Sequence, residues 1–273
     1  MSKYIVEDTK KITSTRFTAM KAEGKKIAML TSYDYALARI VDQAGVDSIL
    51  IGDSASNVMA GNANTLPITL DEMIFYARSV ARAVKRAFVI CDMPFGTFQV
   101  SPNETVRNAI RIVKETGVDA VKLEGGAEIQ AHIRAILCAG IPVCGHLGLT
   151  PQSINKFGSY GVRAKERAEA DKLIEDAKLL DEIGCCGVVL EKIPAQLAAK
   201  VAKATRIPMI GIGAGHEVDG QVLVVNDMLG MDPSFKPKFV RHYAHLSETI
   251  ADAVGQYVSD VKECHFPSLE EQY

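Results

Sequence analysis

Five successive apolar runs end in ionisable residues. Asp53 follows SILIG, Asp92 follows FVIC, Lys122 and Glu124 close AVKLE, His146 closes PVCGH and Glu191 closes GVVLE. One carboxylate at the tip of a buried run is commonly a helix cap or a loop ion pair. Five consecutive runs ending this way ask for a shared purpose, because each charge is costly to desolvate alone. Asp53, Asp92 and Glu124 are hard oxygen donors with no thiolate among them. That set suits a hard cation such as Mg²⁺, which binds through one or two carboxylates, waters and substrate oxygens. Lys122 and Glu124 are two residues apart, so they share one face of a strand. Lys122 can therefore hold an anion beside the metal. Glu191 stands apart from the others, and a carboxylate kept off the metal is free to act as a general base.

The elements that must position these groups follow from the pattern around them. Short apolar runs lie at 27–31, 48–53, 88–92, 120–124, 142–146, 187–191, 208–212 and 222–226. The last is the weakest, because 218–229 reads equally well as the opening of a helix. Helical patterns separate most of the runs. Thr69 and Glu72 have capping-box spacing, and so do Ser101 and Glu104, with Pro102 at the first helical position and Gly117 as a stop. Residues 164–183 end at Gly184, 194–204 start at Pro194, 238–262 form a long C-terminal helix and 14–23 a short leading one. Strands alternating with helices imply βαβ units and a parallel sheet. Eight units in this length predict an α/β fold, a (β/α)8 TIM barrel, with its active site at the C-terminal ends of the strands. The connection at 146–164 is long and aperiodic, as functional loops often are. No linker or composition break appears, so residues 1–273 read as a single barrel domain.

Composition narrows the class. At 48% hydrophobic content a sizeable core is possible, and a formal net charge of −2 gives no bulk attraction to nucleic acid or an acidic membrane. None of the six cysteines has CxxC spacing, which points to reduced thiols and a cytoplasmic setting. The N-terminus, MSKYIVEDTKK, lacks the apolar core of a signal peptide. No run approaches the roughly 20 apolar residues of a membrane span. Other features have plainer readings. Cys144-Gly-His146 offers half a zinc site with no second half. His242 and His245 read as surface residues of the C-terminal helix. Gly211-Ile-Gly-Ala-Gly215 fits either a phosphate cradle or tight turn packing, and Cys185-Cys186 fits packing at an element end.

GDS at 52–54, TLP at 65–67, CDMPF at 91–95, VKLEGG at 121–126, PVCGHLGLTPQS at 142–153, VLEKIP at 189–194 and PMIGIGAGHEVDGQVLV at 208–224 carry a resemblance. Together, over residues 14–262, they resemble the ketopantoate hydroxymethyltransferase family. The resemblance implies a barrel of the phosphoenolpyruvate mutase/isocitrate lyase-like group. It implies transfer of a hydroxymethyl group from 5,10-methylenetetrahydrofolate to 3-methyl-2-oxobutanoate through a Mg²⁺-stabilised enolate. The product would be ketopantoate, on the route to pantothenate and coenzyme A. It implies one Mg²⁺ per subunit and a homodecamer of stacked pentamers. By resemblance, Asp53, Asp92 and Glu124 fall on metal positions. Asp53, Ser54, Asp92 and Lys122 fall on oxoacid-binding positions, His146 on an active-site histidine and Glu191 on the catalytic base. The chain departs from the family pattern at Ala55-Ser56-Asn57, at Gly61-Asn62-Ala63-Asn64-Thr65 and at Asn226, none of which has a named chemical role. Two other readings are a Mg²⁺-enolate lyase or aldolase, although a KKCGH-type loop is missing, and a non-catalytic binding module.

Overall fold

The computed structural model describes residues 10–273, so most of the N-terminal stretch read against a signal peptide lies outside the described residues. Eight parallel strands close into a barrel in sequence order: β1 Ile27–Thr31, β2 Ser48–Ile51, β3 Phe88–Asp92, β4 Ala120–Glu124, β5 Val143–Gly148, β6 Gly187–Glu191, β7 Met209–Ile212 and β8 Gly220–Leu223. The helices are α1 Ser14–Ala22, α2 Tyr35–Gln43, α3 Ala55–Val58, α4 Leu70–Ala83, α5 Pro102–Thr116, α6 Gln130–Cys138, α7 Ile154–Phe157, α8 Arg167–Ile183, α9 Ala195–Ala204, α10 Val225–Met228 and α11 Leu246–Lys262. The contacts divide the chain into two units, Met1–Val224 and Val225–Tyr273. The first holds the whole barrel.

The barrel interior is layered by strand alternation. Phe88 and Ile90 precede Asp92 on one face of β3, Ala120 precedes Lys122 and Glu124 on β4, Cys144 precedes His146 on β5, and Val189 precedes Glu191 on β6. The apolar members join Met29, Leu50, Ile210 and Val222 in one buried cluster. Helix α1 closes the N-terminal end of this layer. Its Phe17 is fully buried, with its ring centroid 5.1 Å from that of Phe88, and Gly187 leaves room for it where a Cβ would crowd the ring. The sequence thus builds a dry floor and stacks a charged layer above it.

Helix ends follow the expected chemistry. Thr69 and Glu72 form a complete capping box, Ser101 Oγ accepts from Glu104 N at 3.2 Å, and Gly117 ends α5 with φ +81°. Several boundaries differ from the sequence reading. The final strand is 220–223, not 222–226, and Val225 opens α10. Pairing with β1 sets this, with Ile27 opposite Gly220, where a side chain would strike Ile27 O. Helix α8 starts at Arg167 rather than 164, because Ala164 takes a left-handed φ of +55°. The C-terminal helix starts at Leu246, not 238. Tyr243 N and Leu246 N donate to Met228 O and Leu229 O at the end of α10, so this backbone is committed elsewhere. His242 and His245 therefore precede the helix they were assigned to.

Candidate active site

The turn after β2 places Asp53 against β3: Asp53 N donates to Asp92 Oδ2 at 3.0 Å. Asp92 and Lys122 are register partners on β3 and β4, and Lys122 Nζ lies 3.0 Å from Asp92 Oδ1. Glu124 and His146 are partners on β4 and β5. Glu191 pairs with Gly148, whose φ of +94° and bare Cα let the β6 backbone approach where a Cβ would collide with Glu191 O. Leu149 N then donates to Glu191 O at 2.8 Å. Register alone therefore sets Asp92, Lys122, Glu124, His146 and Glu191 around one barrel mouth.

His146 is the junction. Its Nδ1 is 3.1 Å from Lys122 Nζ and 3.3 Å from Glu124 Oε1, and its Nε2 is 3.4 Å from Glu191 Oε2. One nitrogen cannot both accept from Lys122 and donate to Glu124. The Lys122 contact is the shorter, an ammonium only donates, and no hydrogen bond reaches Glu124 Oε1. In the neutral ring Nδ1 is then the acceptor and the proton sits on Nε2, facing Glu191, whereas the imidazolium carries both protons and turns Nδ1–H toward Glu124 Oε1. Burial and Lys122 both pull the imidazole pKa down, but the Glu124 and Glu191 carboxylates outweigh them and raise it to about 9.

The carboxylates differ in setting. Asp92 and Glu124 side chains are 3% exposed, whereas Glu191 is 17% exposed, so Glu191 is the one open to a small molecule. Burial raises Asp53 to about 8, helped by Glu124 and Asp92. Burial raises Asp92 too, against the opposing charge of Lys122. Burial lowers Lys122, yet Asp92, Glu124 and Asp53 together hold it above the ordinary lysine value. The pocket thus carries more negative charge than Lys122 balances.

That excess bears on a divalent cation. The donor set is all hard oxygen, Glu124 Oε1 is buried without a hydrogen-bond donor among the described residues, and burial, with the charges of Glu124 and Asp92, holds the Asp53 proton to about pH 8. These features fit Mg²⁺. Among the described residues, no three His, Cys, Asp or Glu side chains are gathered as a ready cluster. Hydrogen bonds from neighbours hold one oxygen on each of Asp53, Asp92 and Glu124.

Three neighbours were not anticipated as site residues. Tyr33 follows β1 and its hydroxyl shares a 2.8 Å hydrogen bond with Ser54 Oγ. Gln152, inside the quoted TPQS segment, bonds Asp53 and Glu124. Tyr160 stands on the aperiodic 146–164 connection, where burial, Asp53 and Glu191 raise its pKa. The departures after β2 bond one another: Ser56 Oγ donates to Asn64 O at 2.7 Å, Asn57 Nδ2 to Asn62 O at 2.8 Å, and Asn62 Nδ2 to Ser56 Oγ at 3.2 Å. The loop is a self-consistent polar turn. Cys144 is buried with its thiol pushed up to about 12, which does not suit a zinc thiolate.

Among solved structures, the chain resembles phosphonopyruvate hydrolase in complex with oxalate and Mg²⁺. That match has a TM-score of 0.61 at 11% identity over 95% of this chain and 93% of the other. It also resembles 2,3-dimethylmalate lyase, a member of the PEP mutase/isocitrate lyase superfamily, with a TM-score of 0.59 at 17% identity over 94% and 89%. At these identities the likeness shows the fold. Much nearer in sequence is a 3-methyl-2-oxobutanoate hydroxymethyltransferase of Bacteroides fragilis, 62% identical over 273 residues and all of both chains. A protein of the same name from Flavobacterium johnsoniae is 62% identical over 98% of each chain. The ketopantoate hydroxymethyltransferase family model matches residues 11–269, and the chain belongs to that family.

Proposed function

We propose that the chain transfers a hydroxymethyl group from 5,10-methylenetetrahydrofolate to 3-methyl-2-oxobutanoate, giving ketopantoate, the first step of pantothenate synthesis. The observation that carries this is the charged layer at the barrel mouth, in a chain that matches the family over nearly its whole length. Asp53, Asp92 and Glu124 would hold one Mg²⁺, which when bound polarises the keto group of the oxoacid.

The chain's own residues do the rest. Ser54, with its hydroxyl tied to Tyr33, and Lys122 receive the oxoacid's anionic oxygens. Glu191, the most exposed carboxylate of the set, removes the proton from C3. His146 presents its Nε2 to that carboxylate and holds it in place. Lys122 balances negative charge as it grows on the keto oxygen. C3 then bonds to the methylene carbon as one of its two C–N bonds to the folate breaks, and water displaces the other, leaving the hydroxymethyl group on C3 and tetrahydrofolate with both nitrogens protonated. Four buried, unpaired cysteines support work in a reducing cytoplasm, and among the described residues no helix is long and apolar enough to cross a membrane. We keep the chain as one barrel domain with a C-terminal helical extension. Ile250, Val254, Tyr257, Val258 and Val261 are exposed along α11, which supports association, here as a homodecamer.

The test is product formation with and without folate. Ketopantoate formed only when methylenetetrahydrofolate and Mg²⁺ are both present is the expected result. Turnover of the oxoacid without folate would replace this reading with a lyase or aldolase.

A further inference from the structure

Gln152 lies on the loop after β5, is 7% exposed, and spends every polar atom of its side chain. Its Nε2 donates to Asp53 Oδ2 at 2.9 Å and to Met93 O at 3.0 Å. Its Oε1 accepts from Gln99 Nε2 at 3.2 Å. Its backbone N donates to Glu124 Oε2 at 2.9 Å. Chemistry fixes the amide orientation. A main-chain carbonyl only accepts, so the atom facing Met93 O is the NH₂, and its second proton goes to Asp53. Asp53 Oδ2 and Glu124 Oε2 are therefore both committed as acceptors to the same residue.

Each carboxylate keeps one oxygen. Glu124 Oε1 is buried, and no hydrogen bond reaches it. Its neighbour is His146 Nδ1 at 3.3 Å, a looser ion-pair contact, so this buried oxygen still has a lone pair to offer a cation. Asp53 follows β2 and Glu124 ends β4, with β3 between the two strands, which do not pair with each other. Gln152 is the group that reaches both.

We propose that Gln152 is a positioning residue that fixes the rotation of two carboxylates, Asp53 and Glu124, so that their remaining oxygens serve one divalent cation. The proposal rests on the Mg²⁺ reading above. It differs from a plain loop tie, which would affect stability alone. Outer partners that orient ligating carboxylates typically change metal affinity about 10–100-fold when removed.

The experiment is a Mn²⁺ titration followed by electron paramagnetic resonance, on full-length protein stripped of cations and without substrate. Gln152→Met keeps the length of the side chain and removes its donor to Asp53 and Met93, while the backbone donor to Glu124 stays, so the variant reads the Asp53 arm of the bridge. Gln99→Met cuts another arm of the same bridge while leaving Gln152 on Asp53 and Glu124. The expected result is Mn²⁺ binding weakened about 10–100-fold in Gln152→Met and near the parent value in Gln99→Met. If Gln152→Met does not fold, Gln152→Ser replaces it with the same expectation. Parent-like affinity in the Gln152 variant, or equal weakening in both variants, overturns the positioning role with the cation reading intact. No Mn²⁺ binding by the parent protein overturns the cation reading itself.

Discussion

Replacing Lys122 with methionine should unbalance the site by an amount that can be worked out beforehand. The Lys122 ammonium is 3% exposed and 3.0 Å from Asp92 Oδ1. At that separation a unit pair is worth roughly 5 kcal/mol at an effective dielectric of about 20. Methionine keeps the apolar stem and removes the charge. Asp92 can then stay ionised and unpaired, which costs about 3–5 kcal/mol for a buried charge. Or it can take up a proton, as burial already urges it to do. Holding a proton at pH 7 against an unfolded pKa near 3.9 costs about 4 kcal/mol, and only about 1.5 kcal/mol at pH 5. Protonation therefore caps the loss at about 4 kcal/mol at pH 7, and the deficit should narrow by more than half at pH 5. Equilibrium urea denaturation of cation-free protein at both pH values reads this directly. Adding Asp92→Asn should restore most of the lost stability, with a coupling of roughly 2 kcal/mol or more in the double-mutant cycle. A deficit equal at both pH values, or strictly additive substitutions, would refute the charge-balance argument.

Three further outcomes follow from the same structure. Glu191→Gln should bind the oxoacid nearly as well as the parent protein and slow deuterium exchange at C3 by about 10²–10⁴-fold, measured by NMR. Asp53 has a folded pKa of about 8, raised from 3.8, so its contribution to stability is full below about pH 4 and is lost as pH rises through 8. Melting temperature in a chelator should accordingly fall as pH rises from about 4 to 8 and level off above that, and added Mg²⁺ should remove the fall; a flat profile in chelator would contradict the buried-carboxylate account. Phe17→Ala empties the barrel floor and should cost about 3–5 kcal/mol in denaturation while C3 exchange continues, because the charged layer lies at the other end. Loss of exchange in a folded variant would show that floor and mouth are not separable.

The barrel was legible because its strands are short apolar runs punctuated by caps and glycines, and β1, β3, β4 and β6 fall on the residues read for them. The site was legible for a related reason: the ionisable residues terminate those runs, and strand period places them on the inner face. Less was readable where local pattern gave no direction. VLVVN at 222–226 is as good a strand as a helix start, and only pairing of Gly220 with Ile27 decides the register. Helix α2 was not singled out, though Asp34 caps it by accepting from Leu37 N at 2.9 Å. Tyr33 and Gln152 are uncharged and lie on loops, so neither periodicity nor charge marked them. Their partners become visible only when β1 meets β2 and the loop after β5 folds over the mouth.

The central claim is that this mouth abstracts the C3 proton and then passes the carbon to a folate-borne one-carbon unit. Following the C3 proton of 3-methyl-2-oxobutanoate by NMR in D₂O with Mg²⁺, before and after adding methylenetetrahydrofolate, tests both halves. The account predicts exchange before the folate is added and ketopantoate afterwards. No exchange in either condition would contradict it and return the barrel to a binding role.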